Sequence, residues 1–89
     1  MARFEMSDAQ IGFMGKSGPS VESLFDLGII YATGRDVAPD MVAAHKWFNL
    51  AAQQGDAEAA IRRQEIAQEM SPRDIAEAQR AAREWLRTH

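Results

Sequence analysis

Residues 24–60 read LFDLGIIYATGRDVAPDMVAAHKWFNLAAQQGDAEAA, and this stretch decides the fold. It contains two segments of helical periodicity, separated by residues at which a helix ends. Gly34 follows the last apolar turn of the first segment, where a left-handed residue commonly caps a helix. Pro39 disfavours helical geometry in the residue before it, so the connection 35–39 cannot continue the helix. The stretch therefore predicts a helical hairpin.

The first helix of this hairpin is expected to begin near Ser20, a favourable N-cap residue, with Glu22 in its first turn. Its apolar positions recur at i, i+3, i+4 and i+7, as on one face of a helix: Leu24, Leu27, Gly28 and Tyr31. A glycine inside such a face costs about 1 kcal/mol relative to alanine. We therefore interpret Gly28 as a point where a neighbouring backbone comes close.

The second helix is expected to follow Asp40, its N-cap, and to end at Gly55. Its apolar positions are mostly small, with a few large side chains: Ala43, Ala44, Trp47, Phe48, Leu50, Ala51 and Ala52. Small residues allow the two helices to pack closely, while Trp47 and Tyr31 are expected to fill the volume between them.

Residues 56–88 predict a second hairpin of similar length. Asp56 can cap a third helix that runs to about Met70, with these inner positions: Ala57, Ala60, Ile61, Ile66 and Met70. Ser71 and Pro72 then start a fourth helix as its N-cap and first helical residue. The apolar stripe of this helix is Ile75, Ala78, Gln79, Ala82, Trp85 and Leu86, and its arginines at 73, 80, 83 and 87 are expected on solvent faces.

Positions along the first hairpin follow a fixed spacing without a gap: Leu27, Gly28, Tyr31, Gly34, Val37, Asp40, Ala44, Trp47, Ala51, Ala52, Gly55 and Ala59. This spacing resembles the Sel1-like repeat, whose pattern is LGxxYxxGxGVxxDxxxAxxWxxxAAxxGxxxA. Asp36 stands where that family usually has a second glycine. The resemblance implies an all-α fold: a short α-solenoid of two antiparallel helix hairpins, like those of Sel1 and tetratricopeptide repeats.

The chain is then expected to have three parts. Residues 20–55 form the Sel1-like repeat hairpin, and residues 56–89 form a degenerate second hairpin that acts as a C-terminal cap. Residues 1–19 contain large apolar side chains, yet their glycines and Pro19 interrupt any long helix. This N-terminal segment either packs on the solenoid edge or is flexible.

Composition narrows the classes of function. The 89 residues suit one small domain, and a net charge of −3 argues against a nucleic-acid partner. The absence of cysteine removes disulfides, thiolate metal ligands and cysteine nucleophiles. No apolar run is long enough to span a membrane, and no secretory signal is visible, so the default expectation is a cytoplasmic protein.

Each candidate catalytic, nucleotide-binding or metal-binding residue lacks the neighbouring residues that such a site requires. Residues 15–17 read Gly-Lys-Ser, but a phosphate-binding loop requires a glycine where Gln10 stands. His45 has no carboxylate or second histidine near it on its helix and is expected at the surface or partly packed. Asp36 and Asp40 could share a cation, but together they supply too few oxygen ligands for a calcium site, which needs about six or more. We therefore expect no catalytic, metal-binding or cofactor-binding residues, and no enzyme.

The expected function is a non-catalytic protein–protein interaction module, an adaptor or a small regulatory subunit that binds a peptide or protein in a helical groove. The resemblance places Trp47 in the core, which leaves Phe48 on the adjacent, outward face. The candidate partner-binding residues are Glu22, Phe25, Asp26, Ile29, Phe48 and Arg62. The alternative is a self-assembling homo-oligomer such as a homodimer, because solenoids usually need three or more repeats. A hydrolase is the least favoured reading.

Overall fold

The structure is a computed structural model that describes residues 20–89. This part of the chain contains four α-helices and no strand: α1 (Val21–Thr33), α2 (Met41–Gln53), α3 (Ala57–Ala67) and α4 (Pro72–Thr88). The main contacts between helices all involve α2, which packs against α1, α3 and α4. The predicted all-α fold is confirmed. The prediction for residues 1–19 lies outside the described residues.

All four helices begin where the sequence predicts, after a side chain that accepts a hydrogen bond from the third helical residue. The four bonds measure 3.1 Å each, from the backbone N–H of Ser23, Ala43, Ala59 and Asp74 to the side-chain oxygens of Ser20, Asp40, Asp56 and Ser71. These side chains satisfy backbone donors that have no partner within the first turn. Short-range chemistry therefore determines where each helix starts.

The connection between α1 and α2 requires glycine at position 34 for two reasons. Gly34 has φ 76°, in the left-handed region, and its N–H donates to the Ile30 carbonyl at 2.9 Å, which ends α1. A Cβ atom at this position would also lie 2.6 Å from Cγ of Pro39. The Asp40 N–H then donates to the Tyr31 carbonyl at 2.9 Å, so the loop is tied back to the helix it leaves.

Asp36 also has a left-handed backbone, with φ 64°. It is the position where Sel1-like repeats usually have a second glycine, which adopts this conformation without steric cost. For other L-residues the left-handed conformation costs roughly 1–2 kcal/mol, and for aspartate somewhat less. The turn is therefore retained at this position with a residue that fits it less well.

Helices α1 and α2 make a close contact between Gly28 and the ring of Phe48. A Cβ atom built on Gly28 would lie 2.5 Å from Cε1 of Phe48 and 2.6 Å from Cδ1. The close approach predicted at Gly28 is present, although the group that approaches is an aromatic ring rather than a backbone. Leu24, one turn before Gly28, is fully buried on the same face.

The prediction that Phe48 faces outward is wrong. Phe48 is 1% exposed and belongs to the core, whereas Trp47 is half-buried and packs against that core. The reason is that α2 is surrounded by three helices, so the Phe48 direction is occupied by α1 and the Trp47 direction by Trp85 of α4. Phe48 offers no surface to a partner.

The inner positions of α3 and α4 follow the prediction only in part. Ala78 and Ala82 of α4 are fully buried as predicted, and all four arginines of α4 are exposed. Other predicted inner positions are exposed instead: Ala57, Ile61, Gln79 and Leu86. Each of these two amphipathic helices is covered mainly on one side, by α2, so only a narrow stripe of its surface is buried.

The third helix ends at Ala67, three residues before the predicted limit at Met70. Its last turn tightens, and the Met70 N–H donates to the Ala67 carbonyl at 3.1 Å, a bond that spans three residues rather than four. The short connection to α4 begins there.

Replacing Gly28 with alanine tests the contact with Phe48. In an open helix this change stabilises by about 1 kcal/mol, but here we expect a loss of roughly 1–3 kcal/mol because the new methyl group overlaps the ring. Urea denaturation measures the difference. The double variant Gly28→Ala/Phe48→Leu should recover part of the loss, and a single variant more stable than wild type would contradict the contact.

Replacing Asp36 tests the left-handed turn. Asp36→Gly should stabilise the protein by a few tenths to about 1 kcal/mol, whereas Asp36→Val should destabilise it by roughly 1–2 kcal/mol, because only glycine accepts φ 64° freely. Thermal unfolding followed by circular dichroism would show the order Gly, Asp, Val. An equal stability of the three proteins would mean that the backbone at this position does not require the left-handed conformation.

Candidate functional site

Four of the six candidate partner-binding residues lie on one face of α1. Glu22, Phe25, Asp26 and Ile29 are spaced i, i+3, i+4 and i+7, so their side chains form one stripe along the helix. Glu22 and Asp26 are exposed, and Phe25 and Ile29 are half-buried. We call these four residues the α1 stripe. The face that includes Gly28 packs on α2, and Phe25 borders that face, so the stripe lies along the edge of the hairpin interface with its two carboxylates on the outside.

The apolar half of the α1 stripe is supported from below by the core. The ring of Phe25 lies 5.5 Å from that of Phe48, centroid to centroid, and is tilted by 59°. Ile29 also packs against the core cluster. Phe48 therefore contributes to the stripe indirectly, by holding Phe25 in a defined position while part of the Phe25 ring stays accessible.

The charge of the α1 stripe is negative. Glu22 and Asp26 are the only charged residues of α1, and neither carboxylate forms an ion pair within the described part of the chain. The stripe thus combines two acidic side chains with two apolar ones, a composition that distinguishes between partners by charge.

Arg62, the candidate residue on the next repeat unit, is bonded within α3. Its Nε donates to Oε2 of Glu58 at 3.0 Å, and both side chains are about half exposed. An exposed pair of this kind contributes only about 0.3–0.5 kcal/mol, so the guanidinium can change partners at little cost. The structure places Arg62 at the surface but shows it bonded to Glu58 rather than to α1.

A row of rings joins α2 to α4, and the sequence did not predict this contact. The centroids of Trp47 and Trp85 are 5.9 Å apart in an edge-to-face arrangement, and His89 stacks on Trp85 at 4.3 Å. Nζ of Lys46 lies 4.3 Å from the Trp47 centroid, within the range of a cation–π interaction. Both tryptophans lie on predicted apolar stripes, but nothing in their spacing indicates that the two stripes meet. The contact between Trp47 and Trp85 therefore holds α4 against α2.

His45 is buried, contrary to the expectation that it lies at the surface or is partly packed. It is 3% exposed, and its Nδ1 atom has no hydrogen-bond partner among the described residues. Three helices pack on α2, and periodicity within α2 cannot reveal which of its side chains they cover.

The electrostatic environment of His45 disfavours its charged form. Nη1 of Arg63, on α3, donates to Oδ1 of Asn49 at 2.7 Å, and Asn49 lies one helical turn after His45. Loss of water lowers the pKa of His45 below 6.5, and the positive charge of Arg63 lowers it further. A weaker contribution from the backbone of His45 acts in the opposite direction. The ring is therefore neutral near pH 7.

Other chemistry receives no support from the described geometry. Residues 20–89 contain no group of three or more His, Asp or Glu side chains that could hold a metal ion. The carboxylate of Asp40 is used as a helix cap, and Asp36 lies in the turn that precedes it. No helix of this part is long and apolar enough to cross a membrane. The Gly-Lys-Ser sequence at 15–17 lies outside the described residues.

Comparison with known proteins identifies the hairpin. The family model of the Sel1 repeat matches residues 21–56, which include α1, α2 and the turn that leads to α3. Comparisons with curated proteins and with solved structures give no match. The resemblance drawn from Leu27, Gly28 and the residues that follow is thus confirmed, and residues 21–56 are a Sel1-like repeat.

Proposed function

We propose that this protein is a non-catalytic protein–protein interaction module, an adaptor or a small regulatory subunit, that binds a peptide or protein through the α1 stripe. Sel1 repeats generally mediate interactions between proteins. The observation that carries the proposal is the α1 stripe itself: four side chains on one helical face, two of them apolar and held against the core.

Binding at the α1 stripe follows ordinary interface physics. Phe25 and Ile29 lose their remaining contact with water when a partner covers them, which supplies a favourable apolar contribution. Glu22 and Asp26 lie at the rim, where charge influences partner choice and association rate more than affinity. Since Phe25 already packs on Phe48, little conformational freedom is lost on binding.

The same proposal gives Arg62 a supporting role. In a stacked repeat the first helix of each pair lines one side, so α1 and α3 would form the two walls of a groove. Arg62 keeps its guanidinium at the surface of α3 and is held only by Glu58. We expect it to bind an acidic or carbonyl group of the partner.

Charge reversal on the α1 stripe tests the proposal without disturbing the core. Glu22→Arg/Asp26→Arg should reduce capture of partner proteins from the source cell by at least about tenfold, because both side chains are exposed and flank the apolar pair. Quantitative affinity capture with tagged protein measures this. The matched control is Glu69→Arg/Glu77→Arg, which makes the same change of charge at exposed sites away from α1.

The control variant should capture the same proteins as wild type in similar amounts, and circular dichroism should show that both variants are folded. Equal capture by wild type and the α1 variant would exclude the α1 stripe as the binding surface. Equal loss in both variants would point to a general effect of charge instead.

Self-assembly is the second candidate function. One observation favours it: apolar side chains stay partly accessible at the edge of the hairpin, Phe25 and Ile29 on α1 and Val37, 39% exposed, in the following turn. Solenoid repeats usually bury such an edge against a neighbouring repeat. A second copy of the chain could supply the covering surface.

Molar mass decides between these two functions. Light scattering after gel filtration, over a wide range of concentration, should give the mass of a monomer if the stripe serves another protein. A dimer that is lost in Glu22→Arg/Asp26→Arg but kept in Glu69→Arg/Glu77→Arg would support self-assembly through α1. A hydrolase is the least favoured function, because His45 is buried beside a cation rather than beside a nucleophile.

A further inference from the structure

The junction between α2 and α3 contains a buried histidine, His45, whose Nδ1 atom has no hydrogen-bond partner among the described residues. We propose that this junction is acid-labile: when His45 binds a proton, α3 separates from α2, while α1 stays packed on α2. The inference concerns the stability of the repeat junction and holds whether or not the α1 stripe binds a partner.

The burial of the ring is the first support. His45 is 3% exposed, and its Nδ1 finds no acceptor among the described residues. A histidinium carries N–H donors on both ring nitrogens, so protonation would leave a buried donor without a partner and a charge without a counterion. The closed junction therefore disfavours the charged form, and an opened junction binds the proton more readily.

The position of Arg63 is the second support, and it determines which helix moves. The bond from Nη1 of Arg63 to Asn49 holds a guanidinium from α3 against α2, one turn from His45. Two like charges at a part-buried junction repel, and moving α3 away separates them. The contact of α1 with α2 is centred on Gly28 and Phe48, which carry no charge. Protonation therefore weakens the α3 side first.

The other titratable groups around α2 do not compensate for this charge. Helix α1 carries Glu22, Asp26 and Tyr31, and α2 carries Lys46 next to His45. Helix α3 carries Glu58, Arg62 and Glu65 besides Arg63. Helix α4 and the residue after it carry the remaining groups: Arg73, Asp74, Glu77, Arg80, Arg83, Glu84, Arg87 and His89. Arg63 is the charged side chain that acts on His45 within the described residues, and it acts against protonation. No carboxylate stabilises the histidinium there.

The direction of the pH effect follows from linkage. The pKa of His45 lies below 6.5 in the folded protein and returns toward 6.5 when the ring meets water. The closed junction is fully stable above pH 6.5. As the pH falls below 6.5 the open form gains a proton that the closed form lacks, so stability decreases until the pKa of the folded state is reached.

Amide hydrogen exchange of the full chain, corrected for intrinsic rates, tests the inference directly. Between about pH 7.5 and pH 5.5, protection factors of residues 57–67 should fall by up to about tenfold for each pH unit below 6.5, the limit for one proton. Those of residues 21–33 should fall distinctly less. An equal fall in both helices, or none in α3, would overturn the proposal.

Two neighbouring arginines provide a matched pair of variants. Arg63→Met removes the charge at the junction, so it should raise the imidazole titration midpoint of His45, followed by NMR, toward 6.5 and reduce the pH dependence of α3 protection. Arg62→Met removes the same charge from a surface pair and should leave both readings unchanged. Identical behaviour of the two variants would overturn the role of Arg63.

His45→Gln should abolish the pH dependence of α3 protection in this range, since glutamine does not titrate. If this variant does not fold, the titration of His45 in the wild-type protein gives the decisive result. A midpoint at or above 6.5 would show that the closed junction accepts the proton, and the proposal would be wrong.

Discussion

The contact between Gly28 and Phe48 is the interaction on which the rest of the structure depends. The nearest atom of the ring lies 2.5 Å from where a Cβ atom on residue 28 would be, so α1 and α2 approach each other more closely than a larger side chain would allow. This approach buries Phe48 and turns Leu24 inward. It also directs the α1 stripe to the outside and places Phe48 beneath Phe25 as a support.

The central position of α2 explains most of what the remaining helices do. Because α1, α3 and α4 all pack on it, side chains pointing in several directions from α2 are buried, including Ala44, His45 and Leu50. Helices α3 and α4 each contribute a narrower buried stripe formed by alanine: Ala59 on α3 and Ala78 and Ala82 on α4. The accessible faces of α1, α3 and α4 are therefore the surfaces available for binding.

The two sides of α2 differ in the kind of interaction that holds them. The α1 side is held by apolar contact, whereas the α3 side contains a part-buried hydrogen bond between Arg63 and Asn49, one turn from the buried and unpaired Nδ1 of His45. The α1 side presents the proposed binding surface, so the repeat hairpin can hold that surface while its junction with the C-terminal pair responds to acid. A buried polar group that lacks a hydrogen-bond partner weakens an interface. Here it also makes the stability of the interface depend on pH, because the group can bind a proton.

Much of the fold could be predicted from the sequence because it depends on short-range chemistry. The four N-caps and Gly34 act within a few residues of themselves, and the Sel1 spacing is matched over residues 21–56. The i, i+3, i+4, i+7 spacing also places Glu22, Phe25, Asp26 and Ile29 on one face, whichever helix packs behind them. The candidate site on α1 was accessible to sequence reasoning for this reason.

The orientation of α2 was decided only by the tertiary structure. Phe48 and His45 are buried and Trp47 is half-buried, although a single apolar stripe would favour the opposite arrangement. Apolar or small residues occupy so many positions of α2 that its periodicity does not select one inner face. Which side chains are buried depends on the helices that cover them, and those helices come from distant parts of the chain. The sequence by itself determined the helices and their ends, and packing around α2 determined which residues form the core, because burial is a property of the assembled neighbours.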